Sequence, residues 1–378
     1  MKYQTKMKKV LAIIGSHEGQ QFFIEKAKEM GVETHCFAWD KGIHSLCKDI
    51  ADYFHPISAL DKEKILEVCR EIKIDGVFTR ISLFIPTACY IAQEMNLPGN
   101  KYTDSFAMIN KYLQRQVYLK YRVSSPRFVL AEENIDLSEF IFPLIVKPVD
   151  CFASYGVMKV EQEEDLAKAI QRAQELSYAK QALIEEYVTG AEVSVETISW
   201  NGKHYILTIT DKENTGEPYF VETAHHEPSL LSDDIQEKIK IETRKALTAL
   251  NFNYGTAHVE IKITETGKPY LIEVNARMGG GNIHELVRLS TGYDLAKGAI
   301  DLALNQFEEP VITMRKHAGI YFLSKGAEWV KQIIDNKASD PDIVAAEIYD
   351  DQLYELQSSY DRSGYFIYQS DRKRRWNV

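Results

Sequence analysis

The stretch from His258 to Arg277 constrains this chain more than any other. His258-Val-Glu-Ile-Lys-Ile-Thr264 and Pro269-Tyr-Leu-Ile-Glu-Val-Asn-Ala-Arg277 each alternate apolar and polar residues, and only Glu265 to Lys268 separate them. Two period-two runs joined by so short a link predict an antiparallel hairpin with one apolar and one polar face. Val259, Ile261 and Ile263 then share the buried face with Ile272, Val274 and Ala276. His258, Glu260 and Lys262 share the other with Glu273, Asn275 and Arg277. Pairing Thr264 with Pro269 puts Glu260 directly opposite Glu273. Opposed Cβ atoms lie ~4.5–5.5 Å apart, where like charges destabilise a sheet unless something positive sits between them.

A divalent cation resolves that conflict. Two carboxylates and the Asn275 amide oxygen are hard oxygen ligands, the set Mg²⁺ prefers when it also bridges nucleotide phosphates. Arg277, further along the same face, suits a phosphate oxygen or developing negative charge. The competing reading is a solvated hairpin in which Lys262 neutralises one glutamate. Met278-Gly-Gly-Gly-Asn282 favours the anion site, because consecutive glycines let backbone amides approach a bulky anion closely.

Upstream, the apolar run Val10 to Ile14 ends in Gly15-Ser-His-Glu-Gly19, and an amphipathic stretch follows from Phe22 to Met30. Further strands are expected over Thr34 to Trp39, Tyr53 to Ile57 and Asp75 to Thr79, with a helix over Lys62 to Lys73. Strands alternating with helices predict an α/β domain with a doubly wound parallel sheet. Only Gly15 and Gly19 follow the first strand, short of Gly-x-Gly-x-x-Gly, so no dinucleotide is expected there. Leu97-Pro-Gly-Asn100 marks a boundary. Beyond it the pattern predicts helical segments over Ser105 to Tyr121 and strands over Pro126 to Leu130 and Leu144 to Val146. A covering helix over Glu163 to Leu176 follows, with Leu166, Ile170, Ala173 and Leu176 on one face. After a strand at Ala182 to Ile184, the run Glu192 to Trp200 meets the hairpin pair Asn201-Gly202, so the sheet turns antiparallel. Ser232 starts a helix expected to reach about Leu250, and Asp371 to Arg375 reads as a solvated charged tail.

With 378 residues, 45% hydrophobic and 26% charged, the chain has the make-up of a globular protein of two or three lobes. Lys and Arg number 45 against 55 Asp and Glu, and the net charge of -10 argues against a broad hold on nucleic acid. Five cysteines without a Cys-x-x-Cys pair argue against a disulfide framework or structural zinc and fit a reducing cytoplasm. No apolar run approaches the ~18 residues of a membrane span, so neither membrane insertion nor secretion is expected.

In their order and spacing these residues resemble the ATP-grasp superfamily of carboxylate-amine ligases, in its carbamoyl-phosphate-synthase-like and L-amino-acid-ligase-like branch. His-Val-Glu-Ile-Lys (258–262) and Leu-Ile-Glu-Val-Asn-Ala-Arg (271–277) look like that family's metal-binding strands. The resemblance implies a Rossmann-like pre-ATP-grasp domain over 1–99 and a two-lobed α+β ATP-grasp fold over 100–310, with a mobile lid at about 122–184. A C-terminal cap over 311–378 completes it. It assigns Lys111 in Asn110-Lys-Tyr112 and Lys147 in Val146-Lys-Pro148 to ATP phosphates, Glu185, Glu186 and Val188 to the adenine hinge, and Glu192 to the ribose. Glu260, Glu273 and Asn275 are implied to hold Mg²⁺, or Mn²⁺ in its place.

The phosphate loop, Asp150 to Val157, keeps Ser154 and Gly156 but carries Cys151, Phe152 and Ala153 where relatives usually have Gly and Ser, which restricts its backbone. Thr210-Asp-Lys212 and Pro218 to Pro228 resemble the acceptor region. Glu222 is therefore expected to receive a substrate ammonium, and His225 or Arg277 to stabilise an acyl phosphate or oxyanion. Lys212 is a third basic candidate and His226 a packing residue. Relatives often have an Arg in the strand near Ile320, which this chain lacks.

The activity so implied is ATP- and Mg²⁺-dependent ligation of a small carboxylate to an amine, on an amino-acid-like substrate, through an acyl phosphate. A homodimer is compatible with it. The rivals are a carboxylase or carbamoyl-phosphate-type enzyme using bicarbonate, and a nucleotide-binding regulator, for which the altered 150–157 loop is the hint.

Overall fold

The computed structural model describes residues 8–132, 136–152 and 154–376, which leaves Met1 and Ala153 outside the described residues. The chain opens with β1 (Val10–Ile14), α1 (Glu18–Glu29), β2 (Glu33–Phe37), β3 (Tyr53–His55), α2 (Lys62–Ile72), β4 (Gly76–Phe78) and α3 (Ile85–Glu94). The strands form a parallel sheet in the order β3-β2-β1-β4. Helix α1 starts earlier than the apolar pattern suggested, because the His17 side chain caps it and Glu18 occupies its first turn.

Next come α4 (Lys111–Tyr121), β5 (Phe128–Leu130), β6 (Leu144–Pro148), β7 (Met158–Val160), α5 (Glu163–Leu176) and β8 (Ala182–Glu186). The four strands make a small antiparallel sheet, β5-β8-β6-β7. Helix α5 covers it with Leu166, Ala169 and Ala173, while Ile170 and Leu176 are only half-buried. Helix α4 begins six residues later than the pattern implied. Asp104–Phe106 is a 3₁₀ turn, and Asn110 then caps α4 by accepting from Leu113 N.

The remaining elements are β9 (Ala191–Trp200), β10 (Lys203–Asn214), β11 (Glu222–Glu227), α6 (Asp233–Ala249), β12 (Gly255–Ile263), β13 (Pro269–Asn275), α7 (Ile283–Thr291) and α8 (Leu295–Ala303), then β14 (His317–Leu323), α9 (Glu328–Asp335), β15 (Ile343–Ile348) and β16 (Gly364–Ser370). Their strands form one antiparallel sheet in the order β13-β12-β9-β10-β11-β14-β16-β15. The fold is thus mixed α/β, a parallel N-terminal sheet followed by antiparallel ones.

Strand β1 is apolar throughout because both its faces are covered. Leu11 and Ile13 pack with Phe23 of α1 and Leu295, Ala299 and Leu302 of α8, whereas Ala12 and Ile14 pack with Ile65 of α2 and Ile91 of α3. Helix α8 also supports the large sheet, so it ties the two parts together. The tail is not merely solvated. Arg374 pairs with Asp340 and Asp342 at 2.7 and 2.8 Å and covers the Trp376 ring, and Lys373 reaches Asp211.

Candidate active site

Glu260 lies directly opposite Glu273 in the β12–β13 ladder, and Val259 and His258 pair with Val274 and Asn275 as expected. Toward the turn the register differs, because Pro269 pairs with Ile263 and not with Thr264. Ile263, Lys262 and Ile261 pair with Pro269, Tyr270 and Leu271, so a bulge leaves Ile272 unpaired beside Glu273. Leu271, not Ile272, enters the core, and Ile272 faces a cavity. Among the described residues β13 is an edge strand, and helix α4 covers that edge. Gln114 donates to Val274 O (2.8 Å) and accepts from Val274 N (3.0 Å), and Arg115 donates to Ile272 O (2.6 Å). These bonds hold the backbone on both sides of Glu273.

The cavity lies between the small sheet, the hairpin and the end of β11. At one end are Lys111, Lys147, Glu185, Glu186, Val188 and Ile272; at the other are Glu222, His225, Arg277 and Arg362, with Glu192, Glu260, Glu273 and Asn275 between. Every residue the sequence pattern singled out as a binding or catalytic candidate lines it except Gly156, which shapes the adjoining loop. A Cβ on Gly156 would fall 2.8 Å from Leu176 and 2.9 Å from Pro148, and its φ is +79°. Ser154 is exposed with a φ of +56°.

At the first end, Lys111 Nζ is 3.1 Å from Glu273 and donates to Cys151 O at 2.5 Å, which fixes the base of the 150–157 loop. Lys147 and Arg115 both hold Glu185, each at 2.5 Å. Burial works against the Glu185 charge, but Arg115 and Lys147 more than offset it and keep the carboxyl below its usual range. The Glu185 carboxylate is thus committed to protein cations, and its backbone lies between β5 and β6. Glu186 N donates to Arg127 O, and Glu186 Oε1 accepts from Arg127 N. Arg115 escaped the sequence pattern, although it lies one helical turn beyond Lys111 on the same buried face.

In the middle, Lys212 takes a larger part than the sequence suggested. Its side chain is 1% exposed, and Nζ lies 3.0 Å from Glu260 and 3.2 Å from both Glu192 and Glu222. Burial opposes its charge, yet Glu260, Glu192 and Glu222 raise it well above the ordinary lysine range. Oxygens of those three glutamates lie within 4.8 Å of one another, but the ammonium occupies the gap, so that trio is a lysine site. Lys262 takes the second oxygen of Glu192 at 3.2 Å.

The charge between the opposed glutamates is therefore partly met by lysines. Lys212 and His258 both take Oε1 of Glu260, and Lys111 takes Oε1 of Glu273. The second oxygens of both glutamates and the Asn275 side chain have no protein partner among the described residues, and all three residues line the cavity. That donor set is hard oxygen and fits Mg²⁺. His258 is itself held by Glu196 at 2.8 Å; burial disfavours its charge, but Glu196 and Glu260 push it up to about 9. Six Lys and Arg line the cavity against six Glu, so the two sets cancel and His258 adds one positive charge. A nucleoside triphosphate needs divalent counter-charge to enter such a site.

At the far end, Glu222 sits between Lys212 and Arg362, each 3.2 Å away. Burial raises its pKa, but the Lys212 and Arg362 charges bring it down to about 2. His225 is buried against Phe322, and its Nδ1 has no partner. Burial first, then Lys212 and Arg362, hold it well below the usual histidine range, so it is a neutral imidazole. His226 points the other way, packing between Tyr321 and Tyr368. Arg277 donates to Ser82 Oγ (3.0 Å) and Met278 O (2.8 Å), and no carboxylate pairs with it among the described residues. Arg362 had no sequence signal beyond its place in Asp361-Arg-Ser-Gly-Tyr365.

Residues 140–285 match the model of the ATP-grasp domain family. Over that segment the chain is similar to ATP-grasp domains. It is 26% identical over 293 residues to the alanine–anticapsin ligase of Bacillus subtilis; the match takes in 68% of the chain and 62% of that ligase, so the chain spans under two thirds of the relative's length. It is 25% identical to the D-alanine–D-alanine ligase of Francisella philomiragia, over 50% of the chain and 65% of that enzyme. The crystal structure of an L-amino acid ligase from Bacillus licheniformis superposes with a TM-score of 0.79 at 25% identity, covering 97% of this chain and 95% of the other. Among the described residues no helix is long and apolar enough to cross a membrane.

Proposed function

We propose that the protein is an ATP-dependent ligase that joins a small carboxylate to an amine through an acyl phosphate, on amino-acid-like substrates in the cytoplasm. One observation carries this: Lys111, Lys147, Glu273 and Asn275 line the same cavity as Glu222, His225 and Arg277, so groups suited to a triphosphate and to a zwitterion face one space. The similarity to ligases that act on alanine supports it.

Glu260, Glu273 and Asn275 would hold Mg²⁺, or Mn²⁺ in its place, which when bound neutralises phosphate charge. The adenine lies between Ile145 and Ile272 at the hinge, where the Glu186 carbonyl and Val188 N–H read its edge, and Glu192 accepts from the ribose hydroxyls. Lys111, Lys147 and the turn at Ser154 and Gly156 hold the phosphates. A carboxylate is a poor acyl donor because oxide would have to leave. Its oxygen attacks the γ-phosphorus, the bond to the bridging oxygen breaks, and ADP departs with the electron pair. The substrate ammonium gives up one proton to water, and the free amine nitrogen then attacks the carbonyl carbon of the acyl phosphate. Phosphate leaves with its bonding pair, takes up the surplus proton, and an amide remains. His225, neutral and so able to donate one N–H without prior proton loss, and Arg277 stabilise the oxyanion. Exclusion of water protects the acyl phosphate.

A phosphate-release screen of single and paired amino acids against Mg-ATP tests this, with bicarbonate as a separate arm and Glu273→Gln alongside. The expected result is release that depends on amino acids and falls in the variant by more than the roughly 10–100-fold that loss of an outer-shell partner costs. Release stimulated only by bicarbonate would instead mark a carboxylase.

A further inference from the structure

Strand β13 carries two of the proposed metal ligands, Glu273 and Asn275, yet no strand lies beyond it among the described residues. Its outward backbone groups need partners from elsewhere, and the register of such an edge is easily lost. Helix α4 supplies the partners. Gln114 is 1% exposed, and its amide meets Val274 as a neighbouring strand would, donating to Val274 O at 2.8 Å and accepting from Val274 N at 3.0 Å. Val274 is the residue between the two ligands. The buried Tyr118 hydroxyl, one turn further along α4, also donates to Gln114 Oε1, at 3.0 Å. Two donors on that oxygen settle which way the amide faces.

The place of these bonds matters more than their number. Leu271 pairs with Ile261 and Glu273 with Glu260, so the one surplus residue of the hairpin sits at Ile272. If the bulge moved by one residue, Glu273 would no longer stand opposite Glu260. Gln114 on Val274 and Arg115 on Ile272 O, at 2.6 Å, bracket Glu273 and prevent that shift. We propose that Gln114 is a positioning residue: by pinning Val274 it keeps the bulge at Ile272, so that Glu273 and Asn275 face the cavity together as one metal site. This rests on the metal reading of those two residues and adds to it what aligns them. Lys111 begins the same helix and is 3.1 Å from Glu273, so α4 sets the phosphate lysine and the metal strand against each other.

The test uses the full chain and compares Gln114→Leu and Tyr118→Phe with the wild type. Electron paramagnetic resonance reads protein-bound Mn²⁺ in the presence of ADP, calorimetry reads ADP binding without metal, and thermal melting reports the fold. Gln114→Leu should weaken Mn²⁺ binding roughly 10- to 100-fold, the cost of losing a group that aligns a ligand, while metal-free ADP binds as in the wild type. Tyr118→Phe removes one hydroxyl and keeps the ring, and should weaken Mn²⁺ in the same direction by less; it decides the matter if Gln114→Leu does not fold. Variants that melt lower but bind Mn²⁺ like the wild type would overturn the proposal, as would equal losses of Mn²⁺ and of metal-free ADP. A wild type that takes up no Mn²⁺ with ADP would overturn the metal reading itself, and shows before any variant is compared.

Discussion

Lys212→Met removes a cation shared by three carboxylates. At an effective dielectric of about 20, unit charges ~3 Å apart attract by roughly 5 kcal/mol, and two carboxylates ~5 Å apart repel by roughly 3 kcal/mol. Glu222 alone illustrates the size: the gap between about 2 and its ordinary 4.5 corresponds to about 3 kcal/mol of native stability. That Glu222 pKa is depressed, so its contribution is present above pH ~4.5 and is lost as pH falls toward 2. Without Lys212 the glutamates repel, and Glu222 and Glu260 lose their largest attraction, so their folded pKa values rise. The variant therefore keeps its stability at low pH and loses it as pH climbs through those raised values. The gap between wild type and variant should be about 3–5 kcal/mol at pH 8, the usual cost of breaking a buried ion pair, and clearly smaller at pH 5. Urea unfolding of both proteins at the two pH values measures it. A gap of equal size at pH 5 and pH 8, or one under about 1 kcal/mol at pH 8, would refute the electrostatic account.

Arg115→Met should destabilise the fold by about 3–5 kcal/mol in the same assay, since it leaves Glu185 with Lys147 alone and frees the Ile272 carbonyl. Gly156→Ala places a Cβ against Leu176 and Pro148 at a left-handed φ, and is expected to raise the KM for ATP severalfold while global stability falls by only about 1–2 kcal/mol. Glu222→Gln should raise the KM for the amine by roughly 10- to 100-fold and leave the KM for ATP near its wild-type value; a change confined to ATP would reassign that residue.

The parallel sheet was legible because period acts locally: buried runs such as Val10–Ile14 declare a strand covered on both faces. The hairpin itself was legible, but its turn pairing was one residue off, and Glu260 meets Glu273 because the bulge at Ile272 offsets that slip. The bulge at Ile272 was not legible, because it depends on α4, which docks on β13 from more than 150 residues away in sequence and supplies Gln114 and Arg115 as substitute hydrogen-bond partners. Lys212 and Arg362 were underweighted for a related reason. Each is an ordinary surface residue by sequence, and only the order of strands β9, β10 and β12, or the return of the chain after β15, sets it against buried acids. Arg115 could have been found, since its spacing from Lys111 puts both on one helical face.

The central claim is that a substrate carboxylate takes the γ-phosphoryl group of ATP. Turnover with an amino-acid donor whose carboxylate oxygens carry a heavy isotope, followed by mass spectrometry of the products, tests it most directly. One heavy oxygen in each released phosphate, together with ADP, is the predicted result. Phosphate free of the label, or release of AMP and pyrophosphate, would contradict it.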